Sequence, residues 1–303
     1  MMNLRQKTVR WVAMFLALAI GTTPLFAGKP TPKLDIEFLV LIPSFNNNKI
    51  DSAGKNWIEK NLESVFIQNY PCTICYVNDC STDGTGEVAQ RYAEQRGMLH
   101  KCRFINNPVN RGALANLRNV ISECPEHTVV VLLDGDDEFI DKDVLRIVAK
   151  EYRSHHAWMT YGSYIVSPPG RRGIGARIPS SVMKHRLFRK SKFVTSHLRT
   201  FYAKLFQNIK KEDFKEGGGW DLIILFPMLE MASQGHVRYI KRILYKWNSV
   251  NPLSDCRVHS DQQREANEWV RAQPPYPALK SLFPKEDRAK RHHLKRTSKQ
   301  GPA

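Results

Sequence analysis

The sequence predicts an α/β protein, with a mostly parallel sheet flanked by helices and a less regular second half. Three observations predict it. Short apolar runs such as Phe38–Ile42 and Val129–Leu133 alternate with segments of helical periodicity, and that alternation implies parallel strands joined by crossover helices. The runs are apolar throughout, as in strands covered on both faces. Polar residues then gather where the runs end, at Asn46, Asp79 and Asp134 to Asp137, which is the carboxyl edge where such sheets bind ligands.

Taken in order, Phe38 to Ile42 is the first strand, ended by Pro43. Trp57, Leu62, Val65 and Phe66 recur at helical spacing, and Pro71 closes that helix. Ile74 to Val77 reads as the second strand, Thr85 to Gln95 as helix, Arg103 to Ile105 as strand, Ala113 to Cys124 as helix, and Val129 to Leu133 as the fourth strand. Beyond it, Pro168-Pro169-Gly170-Arg171-Arg172-Gly173 is a loop. Gly217-Gly218-Gly219 is a joint before an apolar helix from Leu222, which Pro227 should kink or interrupt. Arg238 to Trp247 alternates like one strand, and Phe226, Met228 and Met231 read as core. No internal repeat is present.

The chain has 303 residues, 42% hydrophobic and 25% charged, which excludes a disordered or collagen-like protein. Its net charge of +17 suits anionic partners: nucleic acid, membrane phosphates or nucleotide diphosphates. No helix-turn-helix, RRM or zinc-finger pattern occurs, so no specific nucleic-acid partner is expected. Residues 285–303 hold seven Lys/Arg against two acids, and predict a disordered tail able to touch a membrane surface. At the other end, Arg5, Lys7 and Arg10 precede an apolar run from Trp11 to Ile20, broken by Gly21-Thr22-Thr23-Pro24, with Ala27 at a cleavage point. Residues 1–27 therefore read as a secretory signal, then as an uncleaved anchor, then as an apolar leader helix. The first two place the protein outside the cytoplasm or on a membrane, and the cytoplasmic face of a membrane is the alternative. Cys72 and Cys75 form one CxxC without the second pair a zinc ribbon needs. They and Cys80, Cys102, Cys124 and Cys256 read mostly as small buried thiols, some able to pair in an exported chain.

The sharpest chemical feature is Asp134-Gly135-Asp136-Asp137 directly after a buried strand. Carboxylates on such a turn can share Mg²⁺ or Mn²⁺ with substrate phosphates, and Gly135 lets a diphosphate come close; alone, the turn would also suit a solvated cap of the next helix. Gly84-Thr85-Gly86-Glu87-Val88-Ala89 matches a dinucleotide GxGxxA, but it stands five residues past the strand and no acid follows Phe104-Ile105-Asn106-Asn107, so a nicotinamide enzyme is not expected. Asp79-Cys80-Ser81-Thr82-Asp83-Gly84 instead sets a carboxylate at a strand tip before a capped helix.

Pro43-Ser44-Phe45-Asn46, Val77 to Thr85, Asn110-Arg111-Gly112 and Asp134 to Asp137 together resemble, in order and spacing, family 2 glycosyltransferases of the GT-A fold. The likeness covers about Phe38 to Asp141. It implies a donor-binding half at 34–141, an acceptor-binding half at 142–256 and an extension at 257–303. It also implies transfer of a sugar, with inversion, from a nucleotide-diphospho-sugar such as a UDP-sugar to a hydroxyl of a glycan, lipid or protein acceptor, with Mn²⁺ or Mg²⁺ as cofactor. By this likeness Pro43, Phe45 and Asn46 line the nucleoside pocket, Asp79 accepts from the base, and Arg111 lies beside base and diphosphate. Asp134 and Gly135 face ribose or sugar, and Asp136, with Asp134, binds the metal. The structural alternatives, which the cluster of motifs disfavours, are Asp79 as a helix cap and Arg111 as a surface cation.

An inverting transfer needs a general base. The family's base is usually the Asp of a Glu-Asp pair opening a late helix, and Asp221 after Trp220 matches that place, with Trp where Glu is usual. If buried, it would have the raised pKa suited to base work; an N-cap is its other reading, and Asp213 and Glu230 are fallbacks. A second departure follows Gly112, where Asn116 and Arg118 replace the alanine and asparagine of many relatives. His197 and Arg199 border the acceptor or the phosphates, or are structural, and His259 is a further candidate ligand. A catalytically silent nucleotide- or glycan-binding module of the same fold is the alternative function.

Overall fold

A computed structural model describes residues 36–215 and 219–284, without the side chains of 255 and 256. The leader, Gly217, Gly218, the Cys256 side chain and the basic tail lie outside the described residues. Four strands run in parallel: β1 (Glu37–Ser44), β2 (Thr73–Asn78), β3 (Cys102–Asn106) and β4 (Thr128–Leu132). Their crossovers carry α1 (Trp57–Phe66), α2 (Thr85–Gln95) and α3 (Ala113–Glu123). Asn56 caps α1 through an Ile58 N–H bond of 2.9 Å, satisfying one of the donors a helix start leaves open. Pro43 ends the apolar run but stays inside β1, opposite Val77.

After β4 come β5 (Glu138–Phe139), α4 (Val144–Ser154), β6 (Met159–Gly162), β7 (Tyr164–Ser167), α5 (Ser180–His185), β8 (Ser196–Tyr202) and α6 (Ala203–Gln207). The chain continues through α7 (Trp220–Met231), β9 (Val237–Tyr239), β10 (Tyr245–Asn248), α8 (Asp255–Val258) and α9 (Ser260–Ala272). The large sheet has the order β3-β2-β1-β4-β8-β6-β9, with β8 antiparallel to both neighbours and every other pairing parallel. β5, β10 and β7 form a small second sheet.

Alternate residues of the central strands feed two cores. Leu41, Val130 and Leu132 pack with Leu117 of α3 and with Ile224 and Phe226 of α7. Val40, Ile42 and Val131 pack on the other face with Ile58, Leu62 and Val148. Each such side chain contributes about 1.5–3 kcal/mol on burial. Phe226, Met228 and Met231 are core as expected.

Two expectations need correction. Pro227 does not interrupt α7, which continues to Met231. This helix is apolar on nearly every side and packed against the sheet and α9, so tertiary packing outweighs one missing N–H. The Arg238–Trp247 alternation is two strands, because β9 closes the edge of the large sheet and β10 enters the small one. Between them the Ile240 N–H donates to Tyr161 O and the Ile140 N–H to Leu244 O, turning the chain from one sheet to the other. Cys72, Cys75, Cys80, Cys102 and Cys124 are free thiols. Burial pushes Cys72 up to about 12 and Cys75 and Cys102 to about 11, leaving them inert at neutral pH.

Candidate active site

The loops leaving β1 and β2 are laced together. Asn46 adopts a left-handed backbone (φ 50°), which asparagine tolerates better than most residues. Its N–H donates to Ser81 Oγ at 3.0 Å and its Oδ1 accepts from the Thr82 N–H at 2.9 Å. Asn47 N–H donates to Thr85 Oγ1, and Asn48 N–H to Asp83 Oδ2. Asp83, not Asp79, takes the first N–H of α2, that of Thr85. A Cβ on Gly86 would lie 2.6 Å from Asn78 Nδ2 and 2.7 Å from Asn106 Oδ1, so this glycine serves close helix–strand packing. Phe45 stands at the rim, 39% exposed.

Asp79, 4% exposed, reaches across to a third loop. Its Oδ1 accepts from the Arg111 N–H at 2.9 Å and from Asn107 Nδ2 at 2.8 Å, and its Oδ2 from the Gly112 N–H at 2.8 Å. A carboxylate has about four lone-pair positions, so one remains. Asn107 Nδ2 also donates to Asn116 Oδ1 at 2.7 Å, which makes Asn116 part of the Asp79 network. Arg118 sits 4.6 Å over the Phe214 ring, while the Arg111 side chain is exposed.

The aspartate turn is pressed onto the end of β1. Gly135 N–H donates to Pro43 O at 3.0 Å, and a Cβ there would fall 2.5 Å from Ser44 Oγ and 2.8 Å from Asn47 Nδ2. Buried Asn61 of α1 clamps the turn from below, donating to the carbonyls of Asp134 (2.8 Å) and Asp137 (2.7 Å). The second half of the chain holds the carboxylates. Tyr245 OH donates to Asp137 Oδ2 at 2.5 Å, the Asn248 N–H to Asp137 Oδ1 at 2.6 Å, and Asn251 Nδ2 to Asp136 Oδ2 at 2.6 Å. The Tyr245 oxygen accepts from the Asp134 N–H at 3.2 Å. Burial, and then the charges of Asp136 and Asp134, push the Asp137 carboxyl well above its ordinary range. Burial likewise pushes the Tyr245 phenol up, keeping it a donor.

Asp134 and Asp136 are the half-buried members of the turn, and Asp137 is sealed. Their oxygens, two residues apart, fit a hard divalent cation. Among the described residues no group of three or more His, Cys, Asp or Glu side chains is arranged to hold a metal. A cation here would accordingly take one or two ligands from the chain and the rest from substrate and water. His259 is the N-cap residue of α9 and joins no such group.

On the other side of β4, the register pairs Leu132 with Arg199, which brings Arg199 to the same edge. The Arg199 side chain is 7% exposed and donates to Asp221 Oδ2 at 2.9 Å. Its guanidinium lies 5.6 Å over Trp220. Asp221 is the second residue of α7, with Gly219 as the cap, so the capping reading is corrected. Its side chain is 26% exposed, half-open and ion-paired rather than desolvated. His197 stacks on Tyr245 with ring centroids 4.3 Å apart and meets Tyr164 edge-on. Burial, then the Arg199 charge, drives its pKa well below the ordinary value. Glu230 is fully buried in a pair with Arg189 (2.6 Å) and accepts the Tyr276 N–H, so this fallback base belongs to the core. Asp213 accepts from the Tyr276 hydroxyl.

Asn61, Asp137, Tyr245, Asn248 and Asn251 were not singled out from sequence. Only Asp137 carried a signal, as the last acid of the four-residue turn.

The chain spans between 17% and 36% of the length of the curated relatives it matches. Poly(ribitol-phosphate) β-N-acetylglucosaminyltransferase TarS of Staphylococcus aureus is 27% identical over 152 residues, 49% of this chain and 23% of TarS. Glycosyltransferase GlyA of Streptococcus pneumoniae is 27% identical over 132 residues, 43% of this chain and 17% of GlyA. Among solved structures, the mannosyltransferase PcManGT from Pyrobaculum calidifontis, in complex with GDP-Man and Mn²⁺, superposes with a TM-score of 0.55 at 18% identity, covering 87% of this chain and 72% of that one. S. aureus TarS 1-349 in complex with UDP-GlcNAc gives 0.51 at 18% identity, covering 71% and 59%. These likenesses show the GT-A fold. The sequence profile described as glycosyl transferase family 2 matches residues 39–210, more than half of the chain, and the protein belongs to that family.

Proposed function

We propose that the protein transfers a sugar from a nucleotide-diphospho-sugar, a UDP-sugar, to an acceptor hydroxyl with inversion and with help from a divalent cation. The observation that carries this reading is the half-open Asp134–Asp136 pair, held at the carboxyl edge of the sheet by Asn61, Tyr245 and Asn251. Relatives' structures hold UDP-GlcNAc, or GDP-Man with Mn²⁺, which supports a nucleotide-sugar donor. The remaining lone pair of Asp79 takes an N–H of the base, Asn46 and Phe45 flank the nucleoside, and Arg111 lies beside the diphosphate. Asp134 and Asp136 would hold Mn²⁺ or Mg²⁺, which neutralises charge developing on the departing diphosphate. Asp221 accepts the acceptor's proton, held in place by Arg199.

Calorimetric titration of UDP with and without Mn²⁺, beside Asp136→Ala, tests the donor site. The expected result is metal-dependent binding that the substitution abolishes. No nucleotide binding by folded protein would sink the reading. UDP binding without transfer to any acceptor would leave a silent module of the same fold.

A further inference from the structure

Between Glu151 and Glu212 the chain holds thirteen Lys and Arg residues and not one Asp or Glu. Among the described residues, three of the thirteen meet carboxylates: Arg189 with Glu230, Arg199 with Asp221 and Lys204 with Glu126. The acceptor-side half therefore carries a large positive excess, and part of it lines a cleft of about 340 Å³. The cleft opens beside α5, the end of α7 and the edge strand β9. Tyr161, Ile178 and Val237 supply buried, mainly apolar walls, while Arg177, Lys184 and Arg238 stand around them and no acid lines the space.

We propose that this cleft binds an acidic saccharide, whose phosphate, sulfate or carboxylate groups meet Arg177, Lys184 and Arg238 and whose ring rests against Tyr239. Cations gathered in a concavity with apolar walls focus a positive field into it, and an anionic ligand relieves their mutual repulsion. Guanidinium groups match oxyanions in a bidentate fork. The tyrosine is held for contact: Arg172 donates to its hydroxyl at 2.8 Å, and Arg177 lies 5.7 Å over its ring. The volume falls within the range of small-ligand pockets. Strands β8 and β6 separate β9 from the Asp134 edge, so the cleft is distinct from the donor site. A concave, tyrosine-lined site fits a saccharide better than a flat lipid surface. That the saccharide is an acceptor rests on the transferase reading above; that the cleft binds it does not.

The test is calorimetric titration of the full chain with a sulfated heparin disaccharide, with maltose as the neutral probe and inorganic phosphate as competitor. Arg177→Ala/Lys184→Ala removes two exposed cations, with the melting temperature checking the fold; Lys295→Ala/Arg296→Ala/Lys299→Ala is the tail control. The expected result is disaccharide binding that phosphate weakens, at least tenfold weaker in the cleft variant, unchanged in the tail variant and in Asp136→Ala, with no maltose binding. Absence of binding, equal affinity in the cleft variant, or loss in the tail variant would overturn the proposal. So would phosphatidylglycerol vesicles binding through Arg177 and Lys184 while the disaccharide does not. Disaccharide binding in a protein that binds no UDP would sink the transferase reading and leave the cleft standing.

Discussion

Tyr245 donates its hydroxyl to Asp137 across 108 residues of chain, at 2.5 Å. The bond joins β10 of the small sheet to the turn after β4, so the aspartate turn is completed by a residue from the second half of the chain. Tyr245→Phe keeps the ring and removes this bond, along with the acceptor of the Asp134 N–H. Losing a hydrogen bond to a buried carboxyl costs on the order of 1.5–3 kcal/mol. The melting temperature should fall by roughly 5 °C, and UDP affinity should fall with it. An unchanged melting curve would show that the turn is held without Tyr245.

Gly135→Ala tests the close approach of that turn to β1. The added methyl would overlap Ser44 Oγ and Asn47 Nδ2, neither of which is a flexible chain end. The turn must shift, and a displacement near 1 Å at a reacting centre costs on the order of 100-fold in rate. Turnover should drop by about that factor, with about 1–3 kcal/mol lost in urea unfolding. Wild-type turnover would remove Gly135 from the site's geometry.

The strands and crossover helices of the first half were legible because each rests on local sequence: uniform apolar runs, helical spacing, and turns at the strand tips. The aspartate turn was legible for the same reason. Its supports were not. Tyr245, Asn248 and Asn251 arrive from 108 to 115 residues away with no motif of their own. The alternation that includes Tyr245 reads the same whether it forms one strand or two in different sheets. Pro227 misled because propensity carries no knowledge of the packing around α7. At Asp221 the sequence showed a helix start but not the arginine of β8 that meets it.

Asp79→Asn should loosen the Arg111–Gly112 loop. The carboxylate accepts three donors, and an amide would turn an NH₂ group toward at least one of them. The expected outcome is faster amide exchange at Arg111 and Gly112 and UDP affinity at least tenfold weaker. Unaltered exchange at both amides would show that the loop does not depend on this carboxylate.

His197 sets a pH dependence. Its folded pKa lies well below the ordinary value of 6.5 because burial, and then Arg199, disfavour the charged ring. The unfolded chain binds the proton first, so the contribution of His197 is complete above about pH 6.5. It is lost as pH falls toward the folded pKa, at up to about 1.4 kcal/mol per pH unit. His197→Phe should flatten unfolding free energy between pH 6.5 and 5.5, read from urea titrations. An identical slope in the variant would mean that other groups govern that window.

Arg199 and Asp221 form the last prediction. A 7%-exposed guanidinium bound to a half-open carboxylate orients that carboxylate. Arg199→Ala would leave Asp221 held only by the Leu222 N–H, which donates to its Oδ1 at 2.9 Å, and would remove the cation over Trp220. If Asp221 is the base, the variant should lose roughly 100-fold in kcat while the affinity for UDP stays within about twofold, since Arg199 donates to Asp221 rather than to the aspartate turn. Arg199→Lys should recover part of the rate, because it restores the charge but not the planar fork. Asp221→Asn should lose at least as much as Arg199→Ala, and the double variant should be no worse than Asp221→Asn alone, because the arginine acts through the carboxylate. Additive losses in the double variant would give Arg199 a separate role on substrate, and full turnover in Asp221→Asn would move the base elsewhere along this edge.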